Sequence, residues 1–244
     1  MLRTCSTRSA ARCVLRRAGL DCRVCSSTTP LFDALPRTQQ QLLERYIELL
    51  LDTTKHTNLV SAASATRDVL LTRHVEDSLT LLPAIENSAR QAGRLRLVDL
   101  GSGAGFPGIV LSIARPQWSV LLLDAARKKA SFLTGVVHSL SLANAAVLCA
   151  RAEDAAQRPD LREQCDVVVA RAVAEMRVLA ELALPLLRKG GILVAAKQSL
   201  GLTIELENSR AAVRMRGGGD FLILPTATVS SSGTPFAAVV VTKT

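Results

Sequence analysis

The 244-residue chain lacks any uninterrupted apolar stretch close to the ~20 residues a bilayer-spanning helix requires, its apolar runs being broken by charges, proline or glycine. A membrane-spanning protein is therefore not predicted. Acidic residues are nearly missing from the first thirty positions, where Arg3, Arg8, Arg12, Arg16, Arg17 and Arg23 face only Asp21 among many Ser and Thr. That is the composition of an organellar transit peptide, and the segment has no apolar centre longer than Cys13 to Leu15, as a secretory signal would need. The same residues also read as a basic tail on a cytosolic protein. Paired metal ligands are lacking as well. Cys22 and Cys25 spell CxxC, but no second pair follows to complete a structural zinc site. Cys5 and Cys13 lie in the same leader, and the two remaining cysteines, Cys149 and Cys165, sit in strand-like runs. Neither a disulfide framework nor a metal site is predicted. No internal repeat is present.

What remains is basic but not strongly so. The formal net charge is +9, of which the leader carries +5, leaving +4 on the rest of the chain. A net charge of that size only weakly suggests a polyanionic partner.

Two helical stretches follow the leader. Leu42, Leu43, Tyr46, Ile47, Leu50 and Leu51 recur at helical spacing between Pro36 and Leu51, with Thr38 and Gln41 placed as a capping pair. A second stretch runs from about Ser64 to Leu82, with Val69, Leu70, Val75, Leu79 and Leu82 on one side. After Gly93 short apolar runs alternate with longer periodic segments, the pattern of a parallel sheet covered by helices on both faces. The predicted strands are Leu95 to Leu100, Ser119 to Leu123, Ala145 to Cys149, Asp166 to Ala170 and Ile192 to Ala196. The predicted helices are Phe106 to Ala114, Ala126 to Leu140, a short one near Asp154, and Glu175 to Leu187, followed by a turn over Arg188 to Gly191. A helix from Thr203 to Arg214 precedes two runs, Phe221 to Leu224 and Phe236 to Val241, separated by turn residues alone, so these must form an antiparallel hairpin. The prediction is a doubly wound α/β fold whose mostly parallel, seven-stranded sheet ends antiparallel. It divides into a transit peptide over 1–30, a helical segment over 31–92 and a Rossmann-like domain over 93–244.

The strongest chemical signal is LVDLGSGAGFPG, in which Asp99 closes a strand and Gly101, Gly103 and Gly105 precede a helix. Glycine serves there because the turn must reach positive φ and because a side chain would bar a cofactor from the backbone. Ligands of such sheets bind beyond the carboxyl ends of the strands, where this loop lies. Gly103, Gly105 and Gly108 also spell the dinucleotide fingerprint GxGxxG. Against a nicotinamide cofactor stand Gly101 in the place of the first glycine, Pro107 inside the triplet, and the want of a second domain. Asp124 ends the second strand about 20 residues on, where a carboxylate accepts from ribose hydroxyls; it also suits a helix N-cap. Ala152, Glu153 and Asp154 bring an acid and exposed backbone to the end of the third strand, and Arg171 stands at the end of the fourth.

Assembled, these residues resemble the glucose-inhibited division protein B (RsmG) family, bacterial-type methyltransferases of guanine N7 in small-subunit 16S-type rRNA. The resemblance spans roughly Leu42 to Ala196. It rests on NLVS at Asn58 to Ser61, RHVEDSL at Arg73 to Leu79, VDLGSGAGFPGIVLSIARP at Val98 to Pro116, LLDAARKKASFL at Leu122 to Leu133, RAE at Arg151 to Glu153 and ARAVAE at Ala170 to Glu175. It implies S-adenosyl-L-methionine as cofactor, with Gly101 and Phe106 contacting it from the glycine loop, Ala152 and Glu153 reading its adenine side, and Arg171 at the border of cofactor and substrate. Arg73, His74 and Asp77 match the signature expected to border the active site on the substrate side. The implied partner is small-subunit rRNA or a precursor particle, met by a monomer; the composition of the leader points to the mitochondrion first, then a plastid, with the cytoplasm as the alternative. Guanine N7 carries an in-plane lone pair and no hydrogen, so no catalytic acid or base is assigned. A non-catalytic ribosome-assembly factor that keeps the cofactor pocket is the other reading of this resemblance, since Thr53, Thr54 and Val60 depart from the family's usual residues.

Overall fold

The computed structural model describes residues 30–88, 93–229 and 234–244. The predicted transit peptide lies outside the described residues up to position 29, and its four cysteines with it. Seven strands form one sheet in the order β3-β2-β1-β4-β5-β7-β6. They are β1 (Arg96–Leu100), β2 (Ser119–Asp124), β3 (Ala145–Cys149), β4 (Cys165–Arg171), β5 (Leu187–Gln198), β6 (Gly218–Val229) and β7 (Pro235–Lys243). The first five pair in parallel, and β7 lies antiparallel between β5 and β6. The hairpin expected at the end of the chain is this β6–β7 pair.

The helices are α1 (Arg37–Thr54), α2 (67–79, in three pieces), α3 (Leu82–Ser88), α4 (Gly108–Ala114), α5 (Arg127–Ser139), α6 (Ala152–Ala155), α7 (Met176–Ala183) and α8 (Leu202–Met215). Alternation along the strands separates two cores. Leu97, Leu122, Val167, Val169 and Val194 face α1 to α5, whereas Val98, Leu123, Val168, Leu193 and Val239 face α6 to α8. Leu43, Tyr46, Ile47 and Leu50 of α1 join the first core, so the helical segment and the sheet share one hydrophobic interior.

Three expectations need correction. The stretch read as one helix from Ser64 to Leu82 is α2, built from Arg67–Val69, a π-helical Leu70–Val75 and Glu76–Leu79, and it stops before α3. Leu70 and Val75 are both fully buried and five residues apart, a spacing that a π-turn brings to one side and a 3.6-residue turn does not. At the start of α1, Thr38 and Gln41 do not cap the helix. The N-cap is Pro36, whose carbonyl accepts from Gln39 N and Gln40 N at 2.9 and 3.1 Å. Arg188 to Gly191, read as a turn, lie within β5, where Gly190 takes φ +78° and the register with β4 slips between Cys165 and Val167. Glycine lets the strand absorb that irregularity and stay in the sheet.

One contact ties the residues just before α1 to α2. The Glu76 carboxylate of α2 accepts from the backbone N–H of Leu31 at 3.0 Å and of Phe32 at 2.8 Å. Among the described residues no helix is long and apolar enough to cross a membrane, and no cluster of His, Cys, Asp or Glu is suited to hold a metal ion.

Candidate functional site

The carboxyl ends of β1, β2, β3 and β4 lie side by side, and the glycine loop leaves β1 there. Gly101, Gly103 and Gly105 all take positive φ, at 70°, 60° and 109°. The loop folds back on β2: Gly101 N and Ser102 N both donate to Leu123 O, at 2.8 and 3.0 Å. Two of these glycines have opposite surroundings. A Cβ on Gly105 would lie 2.7 Å from Tyr46 Oη and 2.8 Å from Ile109, whereas one on Gly103 would meet nothing nearer than Gly101 O at 3.8 Å. Gly105 is therefore set by packing, and the approach to Gly103 is open.

The loop is held from three directions. Asp124, almost fully buried at the end of β2, accepts from Gly103 N through Oδ2 and from Ala126 N through Oδ1, both at 2.8 Å. It thus anchors the loop and orders the start of α5 at once. Each oxygen keeps a free lone pair, so a vicinal diol can still donate to this carboxylate. Below the loop, Asp99 Oδ2 accepts from Gly108 N at 2.9 Å while its Oδ1 is buried with no hydrogen-bond partner. Burial pushes the Asp99 carboxyl up to about 7. From α1, Tyr46 Oη donates to Ala104 O at 2.6 Å in the core. Neither Tyr46 nor a tethering role for Asp99 emerges from the sequence: the tyrosine reads as one more apolar position on an amphipathic helix.

The Asp99–Gly108 bond also bears on the dinucleotide reading. A pyrophosphate is held by free N–H groups at a helix N-terminus. Here Gly108 N is taken by Asp99, and Ile109 N donates to Gly105 O at 2.8 Å. A buried carboxyl group already fills the place that a phosphate would need.

Phe106 joins the loop to the substrate-side residues. Its ring lies 5.3 Å from that of Tyr46 and 5.0 Å from that of His74, and the Arg171 guanidinium sits 5.6 Å from its centroid. Arg171, from the end of β4, meets His74 Nδ1 through Nη2 and donates to His74 O at 3.4 Å. A guanidinium only donates, so Nδ1 accepts and the imidazole is neutral with its proton on Nε2. Consistently, burial and the charges of Arg171 and Arg73 lower the His74 pKa to about 4. Asp77 completes the group, its Oδ2 lying 3.7 Å from Arg171 Nη1 with both side chains about one-sixth exposed. Burial raises its pKa, against the Thr228 hydroxyl and the charges of Arg171 and Arg73. Burial also lowers that of Arg171.

His74, Asp77, Phe106 and Arg171 thus come together, although 97 residues separate His74 from Arg171. Arg73 stays exposed on the outer side of the π-helical turn. Ala152 and Glu153 occupy the first turn of α6 just beyond β3, Glu153 exposed and Ala152 packed against the second core. They sit at the same sheet edge as Asp124, because Asp124 pairs with Cys149 across β2 and β3.

Comparison with known proteins gives the family. Residues 39–224 match the family model of GidB, rRNA small subunit methyltransferase G. The chain is 40% identical over 184 residues to the ribosomal RNA small subunit methyltransferase G of Leuconostoc mesenteroides subsp. mesenteroides, a match covering 75% of each chain. It is 38% identical over 184 residues to the protein of the same name from Lachnoclostridium phytofermentans, covering 75% of this chain and 73% of that one. Among solved structures, the METTL16 MTase domain superposes with a TM-score of 0.56 at 14% identity, over 70% of this chain and 69% of that one, which is a likeness of fold alone. By its family model and by the identity and coverage of these relatives, the chain belongs to the rRNA small subunit methyltransferase G (GidB) family.

Proposed function

We propose that the protein is an S-adenosyl-L-methionine-dependent methyltransferase acting on guanine N7 of small-subunit rRNA. The observation that carries this reading is the glycine loop: an open approach at Gly103, its N–H anchored by Asp124, within a chain matched by the GidB family model. The residues present suit the cofactor. Asp124 has lone pairs left for the ribose hydroxyls, Gly103 gives the open approach in the loop that also holds Gly101, Gly105 and Phe106, and Ala152 and Glu153 stand at the strand edge where the adenine would be read.

When bound, this cofactor supplies an electrophilic methyl group on a sulfonium sulfur. The chain's own contribution is to hold the acceptor in line and exclude water, which can supply on the order of 7 to 11 kcal/mol. N7 attacks with a lone pair it already has. No side chain has to take a proton, and the neutral His74 in its contact with Arg171 is positioned as packing rather than as a base. The positive charge that develops on the purine is favoured by nearby carboxylate or carbonyl oxygen.

An RNA partner is supported by the distribution of cations. Arg127 and Lys128 at the start of α5, Arg151 before α6, Arg177 in the first turn of α7 and Arg73 on α2 are exposed and make no ion pair among the described residues. The first four stand where the chain leaves the carboxyl ends of β2, β3 and β4. Elsewhere Arg45, Arg67, Arg115, Arg158 and Arg210 are each paired with a carboxylate, while Arg94, Arg162, Lys189 and Arg216 are exposed and make no ion pair among the described residues. Unpaired cations at the rim of a pocket are what a phosphate backbone recruits.

We take the protein to act as a monomer, and the Arg-rich, acid-poor leader favours import into an organelle, the mitochondrion first. The deciding experiment is to map N7-methylguanine in small-subunit rRNA of the mitochondrion, the plastid and the cytoplasm with and without this protein. A site that vanishes with the gene and returns with the wild-type protein is expected, and unchanged maps in all three compartments overturn the reading. A reporter fused to residues 1–30 reads the location separately, with a diffuse cytosolic signal as the contrary result.

A further inference from the structure

Lys197 and Glu205 form an ion pair that neither the cofactor reading nor the substrate reading uses. Lys197 stands at the end of β5, next to Ala196, the residue paired with Arg171, and Glu205 belongs to the first turn of α8. Their charged ends meet at 2.7 Å, with side chains only 14% and 27% exposed. An ion pair shielded to that degree is a weak source of stability, because desolvation offsets much of the attraction. Its other contacts say more about what it does.

Both partners reach the backbone of the segment that follows Arg171. Lys197 Nζ donates to Ala174 O at 2.5 Å, and Glu205 Oε1 accepts from Met176 N at 2.7 Å. The same carboxylate oxygen accepts from Lys197 Nζ. Two residues apart, a carbonyl and an amide are thus gripped by one pair of charges. Hydrogen bonds with a charged partner are about twice as strong as neutral ones, so this grip is firm for its size.

The gripped segment is strained. Ala172 takes φ 55°, in the left-handed region that a residue with a Cβ rarely adopts, and it is exposed, so no packing of its own keeps it there. Such a conformation persists only where the surroundings over-determine it. Upstream, Arg171 is held in β4 by its pairing with Ala196. Downstream, Lys197 and Glu205 supply the contacts. Between the two anchors Val173 rests on the glycine loop, since a Cβ on Gly101 would lie 2.9 Å from Val173 Cγ2. The segment therefore has the substrate-side arginine at one end and the first glycine of the cofactor loop against its middle.

Resting on the proposed methyltransferase activity, we propose that Glu205 and Lys197 are positioning residues: together they hold the segment 172–175 in its strained form, so that Arg171 and the glycine loop keep the spacing that methyl transfer requires. Neither side chain needs to touch cofactor or base; both act through the backbone of Ala174 and Met176. A misplacement of about 1 Å transmitted from outside a site can cost on the order of 100-fold in rate. A segment that touches both halves of the site is where such an error would arise.

The test is single-turnover methylation of small-subunit rRNA at saturating S-adenosylmethionine and RNA, well below the unfolding transition of each variant. Glu205→Ala should slow the reaction by about 10- to 100-fold. Glu205→Gln keeps an oxygen for both donors and should retain most of the rate. Ala172→Gly removes the strain, because glycine takes positive φ without a steric cost. Alone it should leave the rate near that of the wild-type protein, and combined with Glu205→Ala it should restore most of what was lost, a coupling that independent sites do not show. Where Glu205→Ala does not fold, Lys197→Met, which spares the bond from Met176 N to Glu205, takes its place with the same expected pattern. A merely stabilising role would lower the melting temperature and leave the rate unchanged. That result, or a double variant no faster than Glu205→Ala, overturns the inference while the methyltransferase reading stands. No methylation by the wild-type protein overturns the reading beneath it and the inference together.

Discussion

The two halves of the sheet's carboxyl edge are built by different means. On the β1–β2 side the site is backbone: glycines at positive φ, N–H groups donated to Leu123 O, and Asp124 with one backbone partner on each oxygen. On the β4–β5–β7 side it is side chain: Arg171 against His74, and Asp77 at 3.7 Å from Arg171 with the Thr228 hydroxyl beside it. The first half is close to complete as it stands. The second has interactions left to make, which suits a surface whose partner is a large RNA rather than a resident nucleotide.

The sharpest way to break the contrast is through the glycines. Gly105→Val adds backbone strain of about 1–3 kcal/mol and overpacking of similar size against Tyr46 and Ile109, so a loss of roughly 3–5 kcal/mol is expected in denaturant unfolding. Gly103→Ala meets the strain without the overpacking and should cost about 1–3 kcal/mol. It should nonetheless weaken cofactor binding, because its methyl group points into the open approach. Equal destabilisation by the two variants would show that the loop is packed alike along its length.

Next in size is a pair that should fail in different ways. Asp124→Ala removes charge-assisted bonds typically worth ~1.5–3 kcal/mol each, so cofactor affinity should drop by at least ~10-fold. Arg171→Ala should slow single-turnover methylation of small-subunit rRNA with a smaller effect on cofactor affinity. Equal losses of affinity would dissolve the division between the halves, and undiminished methylation by Arg171→Ala would remove that residue from the site.

The smallest net effect in the wild-type protein lies in pH, where one group from each half opposes the other. Asp99 is raised from 3.8 to about 7, so its native form keeps a proton that the unfolded chain has lost, and its contribution to stability falls as pH rises from about 4 to 7. His74 is lowered from 6.5 to about 4, and its contribution rises over about pH 4 to 6.5 for the mirror reason. The two largely cancel in the wild-type protein. Asp99→Asn should uncover the His74 slope, giving stability that climbs from pH 4 to 6.5 in thermal melts. A slope unchanged from wild type would place the Asp99 carboxyl in an ordinary environment.

The same contrast explains what was legible in the sequence. Gly101, Gly103, Gly105 and Asp124 are found by reading along the chain, because strand, turn and helix succeed one another and each residue acts on near neighbours. The β6–β7 hairpin is equally local. Ala152, Glu153 and Arg171 are placed at the strand edge by the same alternation, while their partners are not. Tyr46 reaches Ala104 across 58 residues, and the small space beside Asp77 draws on Thr226, Thr228 and Phe236 from the far end of the chain. Periodicity carries no trace of such pairings, since a core tyrosine and a tethering tyrosine occupy the same kind of helical position. The π-helical turn was hidden for a related reason: Leu70 and Val75 read as one face of an ordinary helix, and only the observed winding shows that their five-residue step needs a π-turn.

Glu76 holds the amides of Leu31 and Phe32, the residues that follow the segment read as a leader. A cut after Pro30 would turn the Leu31 amide into an ammonium group facing the same carboxylate. The hydrogen bond would then become an ion pair between that new chain end and α2, the element that carries His74 and Asp77, so such a cut would fasten the new first residue to a wall of the candidate site.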